Sequence, residues 1–384
     1  MDRKKEYKTY IERNSKGDTG LQERDIAFNH VDDDMDDKER RKQGYIKKKR
    51  RNRAIKRTFL GLLLALSIIA GWAIATFETQ VNAVLNRMDR DPSTDLSTVE
   101  LDDDLLTSDK DVINILLVGS DKRATWTESG RSDSTMIATL DLKHKRLKLT
   151  SLMRDMYVPI PGHGDDRFNA SYAYGGVKLL YETIATNFGI KLDGYVIVDF
   201  TAFQAVIDTV GGVEIELTDK EYKYLTTAYH RGSVLNVKPG LNNLNGEQAL
   251  AYTRIRQDAE GDFGRTRRQR DVLQSIFNEA KGMSLSELVK LTETMMPYLA
   301  TDLTNEEILS YIKSVVMLGT TEIDQMRIPV DNSFSQARIR NMAVLIPDIA
   351  INTQELNDFI FNYDGKENTL ETVAETSEDS NLNQ

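Results

Sequence analysis

The chain has 384 residues and no cysteine, which excludes disulfides, thiolate metal sites and a cysteine nucleophile, and its formal charge is -10. The first 58 residues carry 19 Lys and Arg against 12 Asp and Glu, and the remainder 31 against 48, so a basic leader precedes a large acidic body. An acidic body lacks the clustered positive charge that phosphate backbones require, which argues against nucleic acid as its partner.

Residues 1–57 alternate charge runs without apolar periodicity and are expected to form a disordered, basic, cytoplasmic tail. Phe59 to Phe77 then runs 19 residues without a charge, close to the roughly 20 that cross a bilayer as a helix, so residues 58–78 are expected to span the membrane. The cluster KKKRRNRAIKR directly before it places the N-terminus in the cytoplasm and everything after Glu78 outside the cell. Residues 79–111 are polar and acidic and read as a stalk, with a short amphipathic helix around Val81 to Met88.

A buried strand is predicted at Val112 to Gly119, and an antiparallel hairpin at Ser134 to Leu142 and Arg146 to Met153 around the turn DLKHK. A helix over Tyr172 to Phe188 stops at Gly189. A strand at Tyr195 to Phe200, a helix at Phe203 to Val210 and a short strand at Val213 to Leu217 follow. Asn245 is a helix N-cap, helices are expected over 265–281 and 285–299, and Thr304 to Glu307 is a capping box for a helix to Leu318. A strand at Met326 to Val330 and short helices within Met342 to Phe361 close the folded part, and residues 364–384 form an acidic, disordered tail. Strands and helices interleave without an internal repeat, which predicts an α/β (α+β) domain: a central mixed β-sheet flanked by helices, with 285–363 as a helical accessory part.

The stretch AYTRIRQDAEGDFGRTRRQRD, Ala251 to Asp271, concentrates six arginines in this acidic body. Guanidinium forks suit two-point recognition of phosphate, so the stretch reads either as an anion site or as a solvated helix face. Asp121 and Asp133 fall at the ends of neighbouring strands, where two carboxylates could hold Mg²⁺ or stand exposed on loops. Arg131 and Arg154 lie beside them. The four histidines show no metal spacing, and neither a Gly-x-Ser-x-Gly elbow nor a P-loop is present. Apolar residues around 172–210 serve a core or an elongated cleft for a lipid chain, which composition does not separate.

In order, NILLVGSDKR, RSDSTMIATLDL, LKLTSLMRDMYVPIPG, RFNASYAYGG, VDFTAFQAVIDTVGGVEIEL, LNGEQALAYTRIRQ and GDFGRTRRQRDVL resemble the motifs of the LytR-CpsA-Psr family of Gram-positive cell-envelope proteins, over about 112–284. The resemblance implies a phosphotransferase that moves a glycopolymer, such as wall teichoic acid or capsular polysaccharide, from undecaprenyl pyrophosphate to the C6 hydroxyl of peptidoglycan N-acetylmuramic acid, releasing undecaprenyl phosphate. By the same resemblance Asp121 and Asp133 bind Mg²⁺. Arg131, Arg154, Arg254, Arg256, Arg265, Arg268 and Gln269 contact the pyrophosphate, with Asp121, Asp133, Arg154 and Arg254 as the catalytic set. Arg123 and Asn169 stand at the mouth of that site, and Arg267 and Arg270 are surface charges. A hydrophobic tunnel between sheet and helices is implied for the polyprenyl chain. Peptidoglycan, the membrane and other cell-wall assembly proteins are the implied partners. A polyprenyl-pyrophosphate hydrolase and a non-enzymatic envelope regulator or transcriptional attenuator are the rival readings.

Overall fold

The computed structural model describes residues 42, 45, 67, 71–72, 75–86, 90, 94–120, 132–227, 235–256, 260–295, 298–320 and 322–362. The chain divides into two units, Met1–Ala75 and Thr76–Gln384. In the first, the described residues Lys42, Tyr45, Ser67, Gly71, Trp72 and Ala75 are helical. No helix of the described residues is long and apolar enough to cross a membrane, and most of the predicted span lies outside them. Both expected tails lie outside them as well, save Lys42 and Tyr45.

The second unit is built on a six-stranded mixed sheet. Strand β1 (Val112–Ser120) pairs antiparallel with β2 (Ser132–Asp141), and β2 with β3 (Arg146–Leu152), as the apolar run and the polar DLKHK turn predict. Hairpin β4 (Tyr157–Ile160) and β5 (Gly164–Arg167) and helix α1 (Ala170–Phe188) follow. Helix α1 ends on Gly189, whose φ of 63° a residue with a Cβ adopts only at a cost. Strand β6 (Gly194–Asp199) runs parallel to β1. Helix α2 (Phe200–Val210) starts three residues earlier than its apolar spacing predicts, because Asp199 caps it by accepting from Ala202 N.

Beyond the sheet, β7 (Val213–Leu217) pairs with β8 (Gly240–Leu244) in a separate ribbon, flanked by α3 (Asp219–Thr227) and α4 (Gly246–Tyr252). Asn245 caps α4 in a full capping box with Gln248. Helix α5 (Gly261–Gly282) spans 22 residues, and α6 (Leu285–Met295) follows it. Then come β9 (Leu299–Thr301), α7 (Asn305–Leu318), β10 (Ile323–Ile328), the hairpin β11 (Phe334–Ile339) and β12 (Met342–Pro347), and α8 (Ile349–Phe361).

The part expected to be accessory is not separate from the sheet. Strand β9 adds antiparallel to β6 and β10 adds parallel to β3, giving the order β10-β3-β2-β1-β6-β9. The short helices expected within Met342 to Phe361 are corrected to one strand and one helix. Pro347 ends β12, and Asp348 caps α8 by accepting from Ile351 N. Within the stretch read as a stalk, Val81, Val84, Leu85 and Leu96 are buried.

Two faces of the sheet have different fates. Val112, Leu116 and Val118 of β1, with Ile137 and Leu152, belong to a core completed by Leu180, Ile184 and Phe188 of α1 and Leu356 and Ile360 of α8. Burying each such side chain stabilises the fold by about 1.5–3 kcal/mol. Lys148 fastens α8 to this face, its Nζ 2.6 Å from Asp141 and 2.9 Å from the Ile360 carbonyl. On the opposite face Ile113, Ile115 and Leu117 are only partly buried, because a space is left between the sheet and helices α5 and α7. A second core, with Ile207, Val213, Leu244, Tyr252 and Val272, joins the ribbon to α2, α4 and α5.

Candidate functional site

Strands β1, β3, β6 and β10 all run the same way, so the chain leaves the sheet along one edge after Ser120, Leu152, Asp199 and Ile328. Ligands of open sheets collect at such an edge, where loops bring distant residues together. Here β2 enters. Gly119 pairs with Ser134 and Ser120 with Ser132, so Asp133 is an extra residue bulged out of the ladder. A bulge re-aims a side chain. Gly119 permits the close pairing, since a Cβ there would sit 3.1 Å from that of Ser134.

Arg154 stands just past the end of β3. Its Nη1 donates to Asp133 Oδ1 at 3.3 Å, and its Nη2 to Asp262 Oδ2 at 3.1 Å. Its Nε lies 3.5 Å from Asp155 Oδ2. Helix α5 brings Asp262 and Arg265 in its first turns. Arg265 is 3 % exposed, donates through Nη1 to the Asp133 carbonyl at 2.8 Å, and has its Nε 3.0 Å from Asp262 Oδ1. Gly264 lets the turn close, because a Cβ there would lie 2.5 Å from a Glu260 carboxylate oxygen. Arg256, half-exposed on the loop before α5, sits 3.5 Å from Asp262 and 3.9 Å from Asp133. Gln269, one turn beyond Arg265, accepts from Ser134 Oγ at 3.1 Å.

The structure thus gathers Asp133, Arg154, Arg256, Arg265 and Gln269 from the predicted set. Asn169 adjoins them, its backbone N–H donating to the Arg154 carbonyl at 3.2 Å. Arg254 is exposed, with its guanidinium 4.1 Å above the Phe200 ring at the end of β6. Asp121, Arg123 and Arg131 lie outside the described residues. Arg268 is turned to other partners. It is buried in the second core, donating through Nε to Glu221 at 2.6 Å and through Nη1 to the Ile255 carbonyl at 3.1 Å. Arg270 corrects the expectation of a surface charge: it is 1 % exposed and donates to Gln325 and Ser151. Arg267 is partly buried between Glu260 and Asp271.

Two residues outside the predicted set complete the cluster. Asp262 touches Arg154, Arg256 and Arg265, and Asp155 hydrogen-bonds Asp262 while lying 3.5 Å from Arg167. The signals were adjacency to Arg154 and the i,i+3 spacing to Arg265. Burial and the hydrogen bond to Asp262 push the Asp155 carboxyl up to about 6. Burial opposes the Asp262 charge, but the Asp155 proton and three arginines outweigh it and hold the group at about 2. Burial and the neighbouring Arg154 lower Arg265 to about 10. Burial also works against Arg154, yet Asp262 and Asp155 more than compensate and raise its pKa.

The guanidinium donors of the cluster are only loosely engaged. Of seven buried side-chain polar atoms without a well-aligned hydrogen bond among the described residues, four line this edge: Ser132 Oγ and the Nε atoms of Arg154, Arg167 and Arg265, the first and last of these Nε atoms facing aspartate oxygens at 3.5 and 3.0 Å. Guanidinium forks gathered in this way mark a place suited to an anion. Among the described residues no group of three or more His, Asp or Glu side chains is arranged to hold a metal.

Along α5 the surroundings change from polar to apolar. Arg270 and Gln269 close the polar end against the sheet. Leu273 and Phe277, about 12 and 18 Å along the helix from Arg265, line a cavity of about 290 Å³. Ile113, Ile115, Leu117 and Leu149 form its floor, and Tyr311 and Val315 of α7 its far wall. An apolar pocket thus lies between the sheet and helices α5 and α7.

The LytR_cpsA_psr family model matches residues 73–357. Regulatory protein MsrR of Staphylococcus aureus (strain Mu50) is 34% identical over 252 residues, 65% of this chain and 74% of that protein. Polyisoprenyl-teichoic acid--peptidoglycan teichoic acid transferase TagU of Bacillus anthracis (strain CDC 684) is 38% identical over 183 residues, 47% of this chain and 56% of that protein. Solved structures of TagT are similar over 68% of this chain. The one bound to LI-WTA has a TM-score of 0.54 at 28% identity, covering 68% of this chain and 93% of that chain. The one with bound octaprenyl pyrophosphate lipid has a TM-score of 0.51 at 26% identity, with the same coverage. With the matched model spanning most of its length, this chain belongs to the LytR-CpsA-Psr family.

Proposed function

We propose that this protein is a membrane-anchored phosphotransferase that moves a glycopolymer from undecaprenyl pyrophosphate to the C6 hydroxyl of peptidoglycan N-acetylmuramic acid. One observation carries the reading: a cluster of converging guanidiniums and an apolar cavity adjoin along a single helix, α5. That arrangement is complementary to an amphiphile with an anionic head and a hydrocarbon tail. TagT with bound octaprenyl pyrophosphate lipid and the transferase TagU support the same chemistry.

In the proposed reaction the acceptor oxygen attacks the sugar-linked phosphorus, and the bond from that phosphorus to the bridging oxygen breaks. Polymer and wall become joined by a phosphodiester, and undecaprenyl phosphate leaves with the acceptor's proton. Arg154, Arg256 and Arg265 stabilise charge on the phosphoryl oxygens, and Arg254 guards the outer side from above Phe200. No protein nucleophile is needed, since in-line transfer depends on positioning and electrostatics.

The bulged carboxylate of Asp133, a hard oxygen ligand aimed into the site, suits Mg²⁺, and Asp121, which follows the last residue of β1, would be its companion. Bound there, the cation would neutralise further charge on the pyrophosphate. The anchor at 58–78, with the N-terminus in the cytoplasm, keeps the protein beside its lipid substrate.

The test is release of polyprenyl phosphate from a polyprenyl-pyrophosphate glycan, with and without peptidoglycan oligomers and Mg²⁺. The expected result is release that needs both and collapses in Arg154→Ala. Release without acceptor identifies a hydrolase, and lipid binding without release a regulator.

A further inference from the structure

Among the large apolar side chains exposed on the described residues, Val316 and Met317, at 70% and 84%, stand side by side at the end of α7. They directly follow Val315, which lines the apolar cavity. Helix α7 packs on the helical run at 76–85 through Leu309, Val81 and Leu85. Asn305 at the start of α7 donates to Asn86, and Lys313 two turns on pairs with Glu78, so the two helices are antiparallel. Met317 lies one turn beyond Lys313, in the direction in which the chain leads back to Phe77, the last residue of the predicted span. The exposed tip at Val316 and Met317 thus follows directly along α7 on the cavity-wall residues Tyr311 and Val315.

We propose that this tip is a lipid-contacting surface. Val316 and Met317 enter the bilayer surface, and the cavity receives the isoprenoid chain there directly from the lipid phase. The occupant is the membrane, because the charge-free stretch Phe59 to Phe77 ends one residue before the partner of Lys313. A chain drawn from lipid past apolar side chains avoids exposing its hydrocarbon to water. The inference rests on reading residues 59–77 as a membrane span and the cavity as the isoprenoid site.

The absence of native cysteine allows single-cysteine labelling of the full chain. Met317→Cys, Trp72→Cys in the predicted span and Leu241→Cys on β8 each receive an environment-sensitive fluorophore in phosphatidylglycerol/phosphatidylcholine vesicles doped with acyl-chain quenchers. The expected result is quenching at positions 72 and 317 and none at 241. Quenching at 72 alone overturns the proposal while leaving the anchor intact. No quenching at 72 overturns the anchor and the proposal with it. In a second arm, Val316→Ser with Met317→Ser should lower release from vesicle-embedded lipid by about tenfold, the equivalent of about 1.4 kcal/mol of lost apolar burial, and leave a short-chain soluble substrate unaffected. Equal losses on both substrates would overturn it.

Discussion

Motif matching places Arg268 on the pyrophosphate, whereas the structure places it in a buried ion pair, and a stability experiment separates the two roles. The side chains of Arg268 and Glu221 are 2% and 4% exposed, with Nε and Oε1 2.6 Å apart. Removing one partner leaves the other charge buried and uncompensated, which costs about 3–5 kcal/mol. For a domain of this size each kcal/mol lowers the melting temperature by about 2–4 °C, so Glu221→Ala should lose roughly 6–20 °C. Glu221 also accepts from the amide and hydroxyl of Thr218, both at 2.9 Å, which places the loss toward the upper end. In the double variant Glu221→Gln, Arg268→Met both charges are gone, and the Gln carbonyl still serves Thr218. Its stability should recover to within about 2 kcal/mol of the parent, since a buried pair is often replaceable by neutral groups. Calorimetry of the three proteins reads the stability, and polyprenyl phosphate release reads the function. A double variant that melts like the parent yet releases no product would refute the assignment and return Arg268 to the pyrophosphate.

Arg154→Ala should lower release by about 10²–10³, comparable to removal of one transition-state donor, while far-UV circular dichroism stays unchanged. Because the Asp155 carboxyl is raised to about 6, the folded state binds a proton that the unfolded chain has already lost, so stability falls as pH rises from about 4 to about 6. Asp155→Asn should flatten that slope in chemical denaturation across the same window. Ala138 lines the cavity, so Ala138→Phe should fill space rather than overpack. The expected cost is below the 1–3 kcal/mol of an overpacked core, with a shift of substrate preference toward shorter polyprenyl chains in competition assays.

The elements legible in the sequence are those whose local signals agree with their surroundings. The continuous apolar run of β1, the polar turn between β2 and β3, and the capping boxes at Asn245 and Thr304 each name their element unaided. Hairpin β11–β12 was hidden because its two-residue turn, Arg340–Asn341, uses left-handed backbone at both positions without glycine, and its strands are half-exposed. In α5 the arginines divide by helical position. Arg270 shares a face with Leu273 and Phe277, so i,i+3,i+7 spacing pointed to its burial, and treating charge as a surface marker obscured this. Arg268 precedes Val272 by one turn and faces the second core with it, a partition visible only once β7, β8 and α3 are in place. Asp155 and Asp262 read as ordinary neighbours of arginines, because the contact between them joins positions 107 residues apart.

The arginine cluster is costly to assemble without a ligand, and its carboxylates explain how the fold tolerates it. Arg154, Arg256 and Arg265 converge within reach of one carboxylate, Asp262, and the burial of Arg265 beside Arg154 disfavours its charge. Asp262 and Asp133 hold the guanidiniums in place, while Asp155 accommodates the crowding of negative charge by retaining a proton to about pH 6. In the proposed reaction an incoming pyrophosphate would meet donors already fixed by the bulge in β2, the end of β3 and the first turns of α5, and would take over guanidinium N–H groups now facing aspartates. Little of its binding energy is consumed in ordering long side chains, which is the condition for placing that energy in the transition state instead. The cavity follows from the same helix: the residues after Arg270 have no charge to satisfy against the sheet, and α5 runs past Ile115 and Leu149 with Leu273 and Phe277 facing the open apolar space.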